Sequence, residues 1–73
     1  MARYIVKRFG GSWHSPHSPV MRKTGWNSWK CAEILKARDA RGWYTSEDMY
    51  SDFYALEMAL AFEQSGCEVD VVP

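Results

Sequence analysis

The apolar positions of this chain recur at two periods, every three or four residues through its middle and every second residue near its C-terminal end, and the change of period locates the elements. Residues 67–72 read CEVDVV, which sets Cys67, Val69 and Val71 on one face and Glu68, Asp70 and Val72 on the other, the pattern of a half-buried strand. Near the N-terminus, Tyr4, Ile5, Val6 and Phe9 favour a strand from Arg3 to Phe9, stopped by Gly10 and Gly11. Ser12 to Pro19 reads SWHSPHSP, a doubled His-Ser-Pro triplet. Each proline fixes its own φ and biases the serine before it toward extended geometry, so a stiff surface loop is expected. Val20 to Lys23 then allows a second short strand before Thr24 and Gly25.

Helical spacing begins after Gly25. Asn27 or Ser28 can cap a helix, Cys31, Ile34, Leu35 and Arg38 share one face of it, and Lys36, Arg38 and Arg41 stand near its C-terminal carbonyls, where positive charge is favoured. This predicts a short helix over about 28–40, ended before Gly42. A longer helix over about 46–65 follows, with Thr45 as its cap, Glu47 and Asp48 in its first turn, and neither glycine nor proline until Gly66. The expected fold is α+β, a single domain over 1–73. A small two- or three-stranded sheet is covered on one face by the short and long helices.

The long helix is where the pattern leaves a choice, because it has two apolar stripes. At about 100° per residue, Met49, Phe53, Leu56 and Leu60 gather on one side and are expected to face the core. Tyr54, Met58 and Phe62 gather on roughly the opposite side, with Asp48, Asp52 and Glu63 in a gap between the two. Either this second stripe is covered by the first helix or the Trp-rich loop, or it is an interface, since aromatic and Met side chains favour interface centres. On the interface reading, the partner-binding surface is Asp48, Asp52, Tyr54, Met58, Phe62 and Glu63, and a homodimer through this helix is one ordinary use of it.

Composition narrows the class. With 73 residues, 47% hydrophobic and 25% charged, the chain resembles a folded globular domain and not a disordered one. No apolar run approaches the ~20 residues of a membrane span, and Lys7 and Arg8 interrupt the stretch where a signal peptide is apolar, so the expectation is a cytoplasmic protein with Cys31 and Cys67 unpaired.

Charge changes the picture more. All nine Lys and Arg lie between Arg3 and Arg41, while seven of the nine acids lie from Glu47 onward, so a net charge of zero conceals a basic half and an acidic half. The split either steers partners or belongs to complementary faces folded together.

Candidate chemistry is sparse. His14 and His17 with Cys31 and Cys67 lack the paired spacing of a zinc site, and Gly10-Gly11 lacks the further glycine and helix start of a phosphate-binding loop. No nucleophile has a base in a recognisable arrangement, and Glu47, Asp48 and Asp52 are explained by dipole complementarity at a helix start. A non-enzymatic protein with neither metal nor cofactor is expected. Basic residues interleaved with aromatics give a nucleic-acid alternative through Lys7, Arg8, Arg22, Lys23, Trp26, Trp29 and Lys30, although a pI near 6.7 is far from that of a dedicated binder. The acidic helix favours instead a protein partner, a basic nucleic-acid-handling complex whose groove it fills. That logic is the one used by small inhibitors carried by phages and other mobile elements, anti-CRISPR proteins among them. The analogy is one of class, since no residue pattern here matches a particular family.

Overall fold

A computed structural model describes residues 2–46 and 51–73. The elements in chain order are β1 (Arg3–Arg8), α1 (Pro19–Thr24), α2 (Ser28–Arg41), β2 (Tyr44–Thr45), α3 (Asp52–Gln64) and β3 (Glu68–Val72). The fold is α+β, as the periodicity predicts, and its sheet is three-stranded and antiparallel in the order β2-β1-β3. β1 is central. It pairs Ile5 with Thr45 on one side and runs from Arg3 opposite Val72 to Arg8 opposite Glu68 on the other. Among the described residues no helix is long and apolar enough to cross a membrane.

Alternation then assigns the two faces of the sheet. Tyr4 and Val6 point inward with Val69 and Val71, while Lys7 and Asp70 point outward and form an ion pair of 2.7 Å, with Arg8 and Glu68 3.7 Å apart beside them. The hydrogen bond from Lys7 to Asp70, and next the carboxylate's charge, raise the Lys7 pKa. Both pairs are solvent-exposed and add little to stability.

Two stretches differ from the sequence expectation. Val20 to Lys23 lies in helix α1 and not in a strand. Ser18 caps the helix by accepting from the Met21 amide at 3.2 Å, Pro19 occupies its first turn, and Gly25 ends it at φ 65°. Serine followed by proline is a helix start, and a short apolar run could not outweigh it. The third strand is Tyr44–Thr45, so Thr45 does not cap the long helix. Ser51 does, accepting from the Tyr54 amide at 3.1 Å, which shortens the helix predicted over about 46–65 to 52–64. Glu47, Asp48 and Met49 lie outside the described residues. The helix predicted over about 28–40 is α2, capped by Asn27 and ended by Gly42.

The core is aromatic and converges on one ring. Phe62 is fully buried, with the rings of Tyr4, Trp13, Trp26 and Phe9 at centroid distances of 5.3, 5.7, 6.1 and 6.2 Å. Trp13 arrives from the His-Ser-Pro segment, so that segment is not wholly a surface loop. Successive turns fold it, Ser12 accepting from Ser15 and Ser15 from Ser18, and the Ser18 hydroxyl donates to the Trp13 carbonyl. Cys31 and Cys67 are free, buried thiols with different neighbours, Met21 Sδ and the Gly10 amide respectively. Burial pushes both thiols up.

Behind Phe62, the turn after β1 crosses the turn from α3 to β3 at van der Waals contact. A Cβ at Gly10 would stand 2.6 Å from the Gly66 carbonyl oxygen and 2.9 Å from that of Ser65, whereas a Cβ at Gly11 would meet nothing within 4 Å. Gly10→Ala therefore forces backbone apart and is expected to cost about 1–3 kcal/mol, lowering Tm by at least about 5 °C, while Gly11→Ala leaves Tm unchanged or slightly raised. Thermal unfolding followed by circular dichroism distinguishes the two.

Candidate interaction surface

Helix α3 carries three acids and no Lys or Arg, and its capping fixes which way it faces. Ser51 holds its first turn, and the Asp52 carboxylate accepts from the Ala2 amide at 3.0 Å, which ties the start of the helix to the strand β1 it covers. At its far end the Ser65 hydroxyl donates to the Ala61 carbonyl at 2.8 Å and accepts from the Val20 amide at 3.4 Å, joining α3 to α1. With both ends held, Ala55, Met58, Ala59, Ala61 and Phe62 turn inward and are buried.

Of the two readings of the second stripe, the one in which it is covered holds for Met58 and Phe62, and the core assignment of the first stripe is overturned. Met58 and Phe62, assigned to partner binding in the interface reading, are 1% and 0% exposed and belong to the core. Phe53, Leu56 and Leu60, expected in the core, are 71%, 56% and 48% exposed. The physical reason lies in the alanines. Ala55, Met58, Ala59 and Phe62 recur at i, i+3, i+4 and i+7, and their small members let the backbone approach the sheet closely while Phe62 reaches the aromatic cluster. Tyr54, at the border of the two faces, is 40% exposed. Asp52 and Glu63 remain exposed on α3, and Asp48 and Met49 lie outside the described residues.

The outward face of α3 is consequently a line of three large apolar side chains at i, i+3 and i+7, with Asp52 and Glu63 along one flank and Glu57 along the other. Among the described residues Glu57 and Glu63 form no ion pair. A groove of about 320 Å³ runs between this face and α1, with Leu60 and Glu57 on one wall and Pro19, Arg22 and Lys23 on the other. Scattered exposed apolar residues are ordinary on a protein surface, but an aligned stripe rimmed by charge has the form of a contact site.

The residues of the nucleic-acid alternative fall in two places, Lys7 and Arg8 on the sheet, and Arg22, Lys23, Trp26, Trp29 and Lys30 along α1, the start of α2 and the turn between them, where Lys23 and Lys30 approach the rings of Tyr54 and Trp26. Lys7 and Arg8 are engaged by Asp70 and Glu68 on the sheet. Arg22 and Lys23 stand in the last turn of α1, and Trp26 is packed against Phe62. Trp29 is 84% exposed in the first turn of α2, and Lys30 next to it lies 3.8 Å from Glu33 and over the Trp26 ring. Among the described residues no group of three or more His, Cys, Asp or Glu side chains is placed to hold a metal ion.

The inward and outward faces of α3 generate a direct contrast between two chemically identical changes. Met58→Asp buries an unpaired carboxylate in the core and leaves no folded protein at 25 °C, whereas Leu56→Asp on the outward face keeps the native circular dichroism spectrum with Tm within about 4 °C. An unfolded Leu56→Asp protein would return this stripe to the core. No family model, curated protein or solved structure matches the chain, so its function has to be read from its own surface.

Proposed function

We propose that this is a non-enzymatic binding protein that acts by protein contact through the outward face of α3. Phe53, Leu56 and Leu60 supply the buried centre of the contact, and Asp52, Glu57 and Glu63 supply its polar rim. The observation that carries this reading is the alignment of three large, exposed apolar side chains on a helix that holds three acids and no base. The partner's chemistry follows from the charge. A second copy docked helix against helix would set acid against acid, which disfavours the homodimer, whereas a basic groove gains both attraction and a faster encounter. A nucleic-acid-handling complex presents such a groove, and a small acidic domain seated in it blocks nucleic-acid entry, the mode of action of phage and mobile-element inhibitors of the anti-CRISPR type. Two unpaired thiols suit action in the reducing cytoplasm.

The test is affinity capture with the wild-type protein and with Leu56→Asp and Leu60→Asp baits, followed by binding isotherms of the captured partner at about 50 and 200 mM salt. The expected partner is basic, is lost by both variants, and binds the wild type at least several-fold more weakly at the higher salt. Equal capture by the variants, or saturable binding of DNA or RNA by the isolated domain, removes this reading. So does a concentration-dependent dimer that Leu56→Asp dissolves.

A further inference from the structure

A second concavity lies on the other side of Tyr54 from the apolar stripe, and its chemistry is different. It encloses about 170 Å³, below the roughly 300 Å³ at which sites for drug-sized ligands begin, and so holds a single ring. Tyr4 and Met58, both buried, form its floor, and Trp26, Tyr44 and Tyr54 form its walls. Ser46 anchors the strand beside it by accepting from the Tyr4 amide at 3.1 Å. Burial, and next the neighbouring Tyr44, raise the Tyr4 pKa far above the phenol range, so the floor is uncharged.

Aromatic walls alone suggest a cation, since rings of this kind surround quaternary ammonium groups. Here, however, two ammonium groups already occupy ring faces. Lys30 Nζ, at the mouth of the pocket, lies 5.8 Å from the Trp26 ring centroid, and Lys23 Nζ lies 5.9 Å from that of Tyr54. Lys30 lines the pocket and Lys23 does not, so a cation that enters beside Lys30 is repelled. An anion is attracted, and Lys30 is half-exposed, held by its position over the Trp26 ring and by a loose 3.8 Å contact to Glu33. We propose that this pocket binds a small aromatic carboxylate, its ring held among Trp26, Tyr44 and Tyr54 and its carboxylate paired with Lys30. The pocket does not use Phe53, Leu56 or Leu60, and the inference is independent of the contact proposed for α3.

The test is a heteronuclear NMR titration of the full chain with benzoate, benzamide and tetramethylammonium. Benzoate is expected to shift the Trp26, Tyr44 and Tyr54 side-chain signals saturably, with Kd on the order of millimolar for so small a ligand. Lys30→Gln, at a partly exposed helix position that leaves the fold intact, weakens benzoate about tenfold, the loss of one charge-assisted hydrogen bond, and makes it equal to benzamide. The inference is overturned if benzamide matches benzoate on the wild type, if tetramethylammonium displaces benzoate, or if the shifts fall outside these three side chains.

Discussion

Everything else in this domain is arranged around the burial of Phe62. Its ring is the point at which the sheet, through Tyr4, the loop after β1, through Phe9 and Trp13, and the approach to α2, through Trp26, meet one residue of α3. A domain of this length has stability on the order of 4–10 kcal/mol, and truncating one buried aromatic ring removes about 3–5 kcal/mol. A single side chain thus accounts for a large part of the margin by which the chain folds. It also sets the rotation of α3 about its axis, which decides that Phe53, Leu56 and Leu60 face solvent.

The separation of charge along the sequence has two outcomes in space. Part is spent internally, because β1 comes from the basic half and β3 from the acidic half, and their pairing brings Lys7 to Asp70 and Arg8 to Glu68. Part is also settled within α2, where Lys30 meets Glu33 and Arg38 meets Asp39. Among the described residues, what is left includes the acidity of α3 and the two bases at the end of α1, on either side of one groove, and Lys36 and Arg41 of α2.

Most of the architecture was legible in the sequence. The alternation over 67–72, the strand stopped at Gly10 and the helix between Asn27 and Gly42 all depend on local spacing and capping, and local rules suffice for them. The inward face of α3 was not, because two apolar stripes of similar strength compete on it and the winner is chosen by rings that lie far away in the chain. Ala55, Ala59 and Ala61 held the clue, as small residues flanking Met58 and Phe62 mark close approach, yet a reading that weights only large side chains passes over them. Trp13 was hidden for a similar reason. A stretch rich in proline and serine reads as surface until the turns at Ser15 and Ser18 fold it inward. The aromatic pocket is further still from sequence logic, since Tyr4, Trp26, Tyr44 and Tyr54 share no period.

The pairing of β1 with β3 also has a bearing on how the chain acquires its structure. Arg3 lies opposite Val72, so the central strand waits for almost the whole of the sequence before its longer neighbour exists, and β2 offers it only two residues in the meantime. During synthesis, Tyr4 and Val6 remain uncovered until α3 arrives, and β1 keeps one edge unpaired until β3 follows it. Closure between such distant segments is slow compared with helix formation, and it makes the final step of folding all-or-none. A ribosome-bound fragment ending before Gly66 would accordingly be a client for chaperones and not a smaller version of the domain.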